Sequence, residues 1–386
     1  MIKINGEILS RDRVVATVKG SWVDVKDDKL APLFFSKCRD IETWLKSRAI
    51  DEHRTNSRLL KKALRLQKKD DVSTTLAANA VTITDTYWFR KEGSDLTWDD
   101  VRFKENCFDE LALTGHPDGF NQEVSNTPEL TNIGSYEKCW KLIDNQWWLY
   151  KNQTNEEIFS ELFVCELGKK IGFSMAHYEM DDKYIRTVDF TENAKYNLEP
   201  MRAIIGDNED YSDNFNALNS IHPDLAADYI KIIYLDTLCL NIDRHTENYG
   251  FLTSPDTGEI INLAPNFDNN ISLISRGYPK DISRQTDGII KLFKDFIYEN
   301  KVAAGVVHNL KIPDVTPEMI DECMNNIPIE ADREYIKEFI LNGQSIIKEH
   351  IERANQTLDE FINKHDSQCN LNKESIAKKY REDNQR

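Results

Sequence analysis

The alternation of apolar and polar positions is clearest in residues 138–151, whose sequence is KCWKLIDNQWWLYK. Aromatic and aliphatic residues fill both arms around the turn sequence Asp144-Asn145, which predicts a β-hairpin. Alternation places Lys151, at the end of the second arm, on the same face as Leu149. A lysine at the end of a strand is usually solvated, so a chemical role for Lys151 requires a partner that positions it.

A helix is predicted directly after this hairpin. Thr154 and Glu157 form a capping box at its start, and apolar residues recur at helical spacing up to Gly172, a natural stop. Glu161 lies at the edge of the apolar stripe, where a carboxylate is costly unless it is paired. Two interpretations stay open: a surface glutamate whose stem covers apolar neighbours, or the ion-pair partner of Lys151.

Residues 249–263 predict a second hairpin. Its two short apolar runs flank the sequence SPDTG, which has strong turn chemistry. Pairing about that turn would place Asn248 roughly opposite Ala264. The chain would then bring Asp268 back beside the loop that precedes the hairpin.

That preceding loop, NIDRHTENYGFL at 241–252, concentrates polar side chains between an apolar helix and a short strand. Asp243 and Asn248 are five residues apart, the spacing at which kinase catalytic loops carry a carboxylate for the substrate hydroxyl and an amide oxygen for the metal held by ATP. A kinase also needs a second carboxylate near this loop, because the metal bridges the phosphates and neutralises developing charge. Asp268 is placed to supply it.

In order and spacing, these residues resemble the HipA-like family of bacterial serine/threonine kinases, whose core fold is shared with phosphoinositide kinases. The resemblance covers roughly residues 130 to 300, and its motifs are Asn-x-Asp-Arg-His-x-x-Asn at 241–248, Leu-Ala-Pro-Asn-Phe-Asp at 263–268, Lys151 and Ser160-Glu161. It implies an α+β, two-lobed, protein-kinase-like fold with a sheet-rich small lobe, a helical large lobe and an additional N-terminal α/β subdomain.

The resemblance also implies a role for each matching residue. Asp243 would orient or deprotonate the acceptor hydroxyl, with His245 supporting the loop by hydrogen bonding. Asn248 and Asp268 would hold magnesium. Lys151 would bind the ATP phosphates and Glu161 would keep it in place. The segment between the lobes would meet the adenine ring through its backbone, and it comprises Val188, Asp189, Phe190 and Thr191.

The segment expected to cover the nucleotide departs from the kinase pattern. LTNIGSYE at 130–137 stands directly before the first hairpin but contains one glycine, Gly134. Kinase loops use repeated glycines, which let backbone N–H groups approach the phosphates. In HipA-like kinases a serine of this loop can be autophosphorylated and the loop expelled. Ser135 is the nearest candidate, and an ordinary turn serine is the alternative.

Length and composition agree with an enzyme of this kind without identifying one. The chain has 386 residues, 40% of them apolar, which suits two or three domains of ~150 residues each. No apolar run approaches the ~20 residues of a membrane helix, and the first residues lack a signal-peptide stretch, so we expect a soluble, cytoplasmic protein. Seven widely spaced cysteines indicate reduced structural thiols and make zinc improbable.

The net charge of −17 argues against a general nucleic-acid binder, because phosphate neutralisation requires clustered cations. A local basic segment does exist, RTNSRLLKKALRLQKK at 54–69, with leucines at helical spacing. We expect a solvated helix face there, with RNA or an acidic protein as alternative contacts.

Four regions are expected along the chain. Residues 1–125 would form an N-terminal subdomain of unknown role, with strand-like alternation at 2–9 and 14–25, a helical pattern at 39–67 and a polar connector at 118–130. Residues 126–190 would form the small lobe. Residues 191–365 would form the large lobe, with helices starting near Pro223 and covering 288–298, 317–326 and about 332–363, the last bent at Gly343. The charged tail, 366–386, is expected to fray.

The leading hypothesis is therefore an ATP- and magnesium-dependent kinase that transfers the γ-phosphate to a serine or threonine hydroxyl of a protein substrate. Three alternatives stay open: a kinase-fold enzyme that performs adenylylation or small-molecule phosphorylation, an ATP-binding pseudokinase, and a toxin-like regulator with a small DNA-binding, antitoxin-like partner. Walker and dinucleotide-binding glycine motifs are missing from the sequence, so a Walker-type ATPase or a Rossmann dehydrogenase finds no support.

Overall fold

The structure is a computed structural model that describes residues 4–66, 69–121 and 126–356. Contacts between Cα atoms divide the chain into two units. The first comprises Met1–Glu209, Asp243–Tyr278 and Ile327–Ile329, and the second comprises Asp210–Ile242, Pro279–Asn326 and Glu330–Arg386. The domain boundaries expected after residues 125, 190 and 365 stay predictions.

The first unit begins with an antiparallel sheet of four strands: β1 Ile4–Ser10, β2 Arg13–Gly20, β3 Trp22–Val25 and β4 Tyr87–Lys91. Their order in the sheet is β3-β2-β1-β4. The single run expected at 14–25 is thus two strands, because Gly20 adopts a left-handed φ of +67° and the chain reverses there. Ile8 and Val15 of this sheet pack in one core with Trp44.

Short helices α1 Ile41–Lys46, α2 Ser57–Ala63 and α3 Asp71–Ala77 lie between β3 and β4 along the chain, and α4 Trp98–Val101 and α5 Asp109–Thr114 follow β4. A 3-10 turn at Leu33–Ser36 precedes α1, and 3-10 turns at Pro117–Asn121 and Pro128–Thr131 follow α5. The helical pattern expected over 39–67 is confirmed in α1 and α2 but is broken between them. The expectation of a solvated basic face is wrong at Arg54, which is 1% exposed because its guanidinium donates to the carbonyls of Asn132 and Lys138.

The first predicted hairpin is confirmed as β5 Lys138–Ile143 and β6 Gln146–Lys151. Asp144 and Asn145 both take positive φ, +50° and +63°, the conformation of a two-residue turn that matches strand twist. The strands β7 Tyr178–Asp181 and β8 Tyr184–Val188 complete a sheet in the order β5-β6-β8-β7.

The helix predicted after this hairpin is confirmed as α6 Asn155–Lys170. Both hydrogen bonds of the capping box are present, from the Glu157 N–H to Thr154 and from the Thr154 N–H to Glu157. Gly172, with φ +82°, follows the last turn. Most side chains of α6 between 157 and 168 are buried, so the helix is surrounded by the unit and does not lie along its surface.

The second predicted hairpin is formed by β10 Gly250–Thr253 and β11 Ile260–Leu263. It belongs to a three-stranded sheet whose third strand is β9 Asn197–Pro200, and the short helix α7 Arg202–Ile205 follows β9. The pairing of Asn248 with Ala264 is wrong by two residues, since the Ala264 N–H donates to the Gly250 carbonyl. Two features cause the shift. Ser254 pairs with Glu259 across the turn, and a bulge follows at Leu252/Thr253.

The second unit is helical: α8 Tyr211–Ile221, α9 Pro223–Cys239, α10 Gly288–Glu299, α11 Lys301–Leu310, α12 Pro317–Asn325 and a helix α13 over 333–356. The helices predicted from Pro223, at 288–298 and at 317–326 are confirmed; α8 and α11 were not predicted. At Gly343, where we expected a bend, a Cβ would lie 2.5 Å from Nη1 of the buried Arg284. Glycine therefore makes room for this guanidinium. The expected tail at 366–386 lies outside the described residues.

Among the described residues, no helix is both long enough and apolar enough to cross a membrane.

Candidate active site

A cleft of about 440 Å³ in the first unit collects nearly all the residues that the sequence singled out. Its lining includes Gly134, Ser135, Lys151, Val188, Asp189, Phe190, Asp243, His245, Asn248 and Asp268. Glu161 is fully buried and faces Lys151. The structure thus brings together side chains from the two hairpins, α6 and the loops beside them.

Lys151, the last residue of β6, is 5% exposed. Its Nζ lies 2.6 Å from Oδ1 of Asp268 and 3.8 Å from Oε2 of Glu161. Burial alone would lower the pKa of Lys151, but the charges of Asp268 and Glu161, together with Tyr178, raise it above its usual value. The ammonium is therefore charged and is fixed at the floor of the cleft.

Glu161 lies on α6, one turn after the capping-box residue Glu157, and it is fully buried. One carboxylate oxygen accepts from the backbone N–H of Asn269 at 2.8 Å, and the other faces Lys151 without a hydrogen bond from any described residue. Burial raises the pKa of Glu161 to about 7, against the opposing charge of Lys151. The interpretation of Glu161 as a surface glutamate is wrong.

Asp268 follows β11 in the segment that we call the metal loop, residues 264–270. The residue has a left-handed φ of +61°, which is uncommon for a residue other than glycine and marks a constrained position. Its backbone N–H donates to the hydroxyl of Tyr178 at 3.1 Å. Burial favours the neutral acid, but the charge and hydrogen bond of Lys151 outweigh it and lower the pKa of Asp268. The carboxylate is ionised, as a metal ligand must be.

The loop at residues 243–248, which we call the catalytic loop, is braced by its own hydrogen bonds. The Asn248 N–H donates to the His245 carbonyl at 2.9 Å, and the Asn248 side-chain NH2 donates to the Asp243 carbonyl at 3.0 Å. Because the amide NH2 is occupied in this way, the Asn248 oxygen is the atom that could ligate a metal. His245 supports the loop further, since its Nδ1 accepts from the Glu247 N–H at 3.3 Å.

The Asp243 carboxyl lies at the solvent-accessible side of the cleft. Partial burial raises the pKa of Asp243, and the nearby His245 opposes the shift. An exposed carboxylate with this raised affinity for a proton is suited to accept one from a hydroxyl that enters the cleft.

Arg244 is the residue that joins the catalytic loop to the metal loop. Its guanidinium donates to the carbonyls of Asn248 at 2.7 Å and Phe267 at 2.8 Å, and to the side chains of Asn266 at 3.0 Å and Asn269 at 2.7 Å. The sequence predicts the closeness of the two loops from hairpin pairing alone. The sequence analysis missed that Arg244 joins the two loops. The available signal was its place in the Asp-Arg-His string.

The segment expected at the adenine ring begins at Val188, the last residue of β8. The Asp189 carboxylate accepts from the N–H groups of Thr191 and Asn193, both at 2.9 Å, and thereby closes the turn beyond this segment. The side chain of Asp189 is occupied by the fold, which leaves a contact to a base to the backbone. Phe190 packs on Phe267 of the metal loop, with ring centroids 5.5 Å apart, so this segment and the metal loop are in contact.

Lys138 is a second lysine of the cleft that the sequence reasoning missed. It pairs directly opposite Lys151 across β5 and β6. A Cβ at Gly134, which has φ +109°, would lie 2.5 Å from the Lys138 Nζ, so this glycine permits the close approach. Burial, Arg54 and Lys151 lower the pKa of Lys138 to about 7. Lys138 forms no ion pair with any described residue, so an anion entering the cleft would become its ion-pair partner.

The donor set fits a nucleotide polyphosphate with magnesium. Mg²⁺ prefers oxygen donors and is usually held by one or two carboxylates together with substrate phosphates. The Asn248 amide oxygen and the ionised Asp268 would supply the protein ligands. Lys138 and Lys151 would meet the phosphate charge.

No family model matches the chain, and no curated protein does. Among solved structures, HipA of Shewanella oneidensis MR-1, determined in a toxin–antitoxin complex with HipB and its operator DNA, is similar with a TM-score of 0.50 and 13% identity over 92% of this chain and 98% of that chain. The Helicobacter pylori proinflammatory kinase CtkA is similar with a TM-score of 0.44 and 21% identity over 58% of this chain and 94% of that chain.

The similarity to HipA shows the fold: the chain has a kinase-like fold of the HipA type, with sheet-rich and helical parts. The fold class expected from the sequence resemblance is confirmed.

If Arg244 joins the two loops, Arg244→Lys should lower the free energy of unfolding by about 2 kcal/mol, because a lysine cannot reproduce the forked donation to both loops. Denaturant unfolding measures this. Arg102→Lys is the matched control, since Arg102 makes an exposed ion pair with Asp99 and such pairs contribute little. Equal, small effects of the two substitutions would contradict the role of Arg244.

Proposed function

We propose that the chain is an ATP- and magnesium-dependent kinase that transfers the γ-phosphate to a serine or threonine hydroxyl of a protein. One observation carries the proposal, the grouping of five expected residues in or behind one cleft: Lys151, Glu161, Asp243, Asn248 and Asp268. The fold shared with HipA is consistent with it.

In this proposal the floor of the cleft binds the phosphates. Lys151 is held by Glu161 from behind, and Lys138 stands opposite it on the neighbouring strand. Asn248 and Asp268 would hold Mg²⁺, which when bound neutralises charge on the transferred phosphoryl group. Asp268 would exchange its contact with Lys151, now 2.6 Å, for the metal, leaving the ammonium available for phosphate oxygens.

Asp243 would act on the acceptor. Its carboxylate orients the hydroxyl and takes its proton while the hydroxyl oxygen bonds to the γ-phosphorus and the bond to the β,γ-bridging oxygen breaks. The products are the phosphorylated acceptor and ADP. Ser135 of the nucleotide-covering segment lines the same cleft, so its autophosphorylation would be the same reaction within the chain.

Purified protein incubated with γ-labelled ATP and magnesium should therefore incorporate label, and Asp243→Ala should lower incorporation by about 10² or more, the usual contribution of a catalytic acid–base group. ATP with magnesium should raise the melting temperature of both forms, because the substitution leaves Lys151 and Lys138 at the floor of the cleft unchanged. Asp95→Ala, at an exposed loop position, is the control and should retain full incorporation.

The same measurement separates the alternatives. Label from α-labelled but not γ-labelled ATP would identify adenylylation and reject the kinase proposal. Thermal stabilisation by ATP without incorporation would identify a nucleotide-binding pseudokinase. Mass spectrometry of the labelled chain locates any modified Ser135.

The lowered pKa of Lys138 predicts a pH dependence of nucleotide binding. In the empty cleft Lys138 loses its proton above about pH 7, whereas a bound phosphate favours the ammonium and raises the pKa. The affinity for ATP should therefore be greatest below pH 7 and fall between pH 7 and 9, by at most about tenfold per pH unit. Isothermal calorimetry measures it.

Lys138→Met should weaken binding and remove most of this pH dependence. Lys141→Met, three residues along the same strand, is the control because Lys141 pairs with Glu110. A pH profile that Lys138→Met leaves unchanged would reject the assignment.

We also propose a small DNA-binding, antitoxin-like partner, because the structurally similar HipA was determined with HipB and operator DNA. With a net charge of −17, the chain would need that partner to provide the cationic surface for DNA. Co-expression with a small basic protein from an adjoining reading frame should give a complex that shifts operator DNA in a gel. The chain alone should not shift it, and DNA binding by the chain alone would contradict the proposal.

A further inference from the structure

The nucleotide loop, residues 132–138, connects the 3-10 turn at Pro128–Thr131 to β5 and lines the cleft. It contains a single glycine, Gly134. In a kinase of the usual kind, repeated glycines allow the backbone to lie close to the phosphates. The position of this loop over the cleft is held by two sets of side-chain contacts.

The first set holds the base of the loop. Arg54 donates to the Asn132 carbonyl at 2.9 Å and to the Lys138 carbonyl at 2.5 Å, so one guanidinium binds both ends of the loop. Glu129, 3.8 Å from the same guanidinium and fully buried, balances its charge. Two residues along, the N–H of Asn56 donates to the Glu137 side chain at 3.2 Å. Residues directly before α2 therefore fix the distance between the two ends of the nucleotide loop.

The second contact holds the side of the loop that faces α6. The Tyr136 hydroxyl donates to Oε1 of Glu157 at 2.7 Å. The other oxygen of Glu157 accepts from the Thr154 N–H at 3.0 Å, so this carboxylate serves both the helix start and the loop. Glu157 is 5% exposed, and a hydrogen bond to a buried carboxylate is stronger than one in water.

The Tyr136 contact connects the nucleotide loop, through α6, to Lys151 at the floor of the cleft. Glu157 and Glu161 stand one turn apart on α6, and Glu161 pairs with Lys151. A movement of α6 that weakened the Lys151 pair would also disturb the Tyr136 contact. The loop and the lysine that it faces are thus positioned by one rigid helix.

We infer that Arg54 and Tyr136 are positioning residues, which hold the nucleotide loop over the cleft and set the affinity for the nucleotide phosphates. The inference deepens the proposed function and rests on it for the identity of the ligand. It also gives residues before α2 a part in the site, through Arg54.

Tyr136→Phe tests the inference, because it removes one hydroxyl and keeps the ring. The KM and the calorimetric Kd for ATP with magnesium should rise about tenfold, the size expected for one lost hydrogen bond to a carboxylate. The kcat should change less than the KM, since Asp243 and the metal ligands are untouched. Amide hydrogen exchange at 132–138 should become faster with no nucleotide present, while the melting temperature stays close to that of the wild type.

Tyr184→Phe is the matched control. Tyr184 is a partly buried tyrosine of β8 whose hydroxyl makes no hydrogen bond to a described residue, and its loss should change neither exchange at 132–138 nor the affinity for ATP. Arg54→Lys should also accelerate exchange in the loop. If Arg54→Lys fails to fold, Tyr136→Phe alone decides.

The outcomes separate this inference from the proposed function. Wild-type exchange rates at 132–138 and an unchanged Kd in Tyr136→Phe would overturn the positioning role. A wild-type protein that does not bind ATP would overturn the proposed function, while the exchange comparison, which needs no nucleotide, would still decide whether Tyr136 holds the loop.

Discussion

The arrangement of the first unit depends on one buried ammonium. Lys151 has its charge balanced by Asp268 at 2.6 Å and Glu161 at 3.8 Å, and of these three side chains Lys151 and Glu161 are buried while Asp268 is partly exposed. Removing one partner of such a buried group leaves an uncompensated charge, at a cost of about 3–5 kcal/mol. The end of β6, the middle of α6 and the metal loop must therefore meet at one place.

Two arginines hold the loops of the cleft together, as Lys151 holds β6 and α6 together. The cleft is bordered by irregular backbone, whose carbonyl groups need donors if they are to be buried. Arg244 supplies donors to the catalytic and metal loops, and Arg54 supplies them to the two ends of the nucleotide loop. A guanidinium suits this task because its planar fork can reach two chain segments at once. The site owes its shape to these side-chain hydrogen bonds as much as to its strands.

The local parts of this architecture were predictable from the sequence because their causes are local. The Asp144-Asn145 turn, the Thr154/Glu157 capping box and the proline at the start of α9 each act within a few residues. The spacing of Asp243 and Asn248 is local in the same sense, since both stand on one short loop. The family resemblance added the longer-range expectation that Lys151, Glu161 and Asp268 share one site.

What only the tertiary structure decided involves partners that are distant in the chain. Arg54 bonds residues 78 and 84 positions away, and no periodicity marks it out from the basic residues beside it. The close approach of Lys138 to Gly134 and the two-residue shift of the second hairpin likewise arise from packing and from a bulge. The sequence by itself determined the elements and the polar residues that they carry. Which side chains become buried, and which of them hold the nucleotide loop, was decided by the folded chain, because burial and long-range hydrogen bonds exist only when distant segments meet.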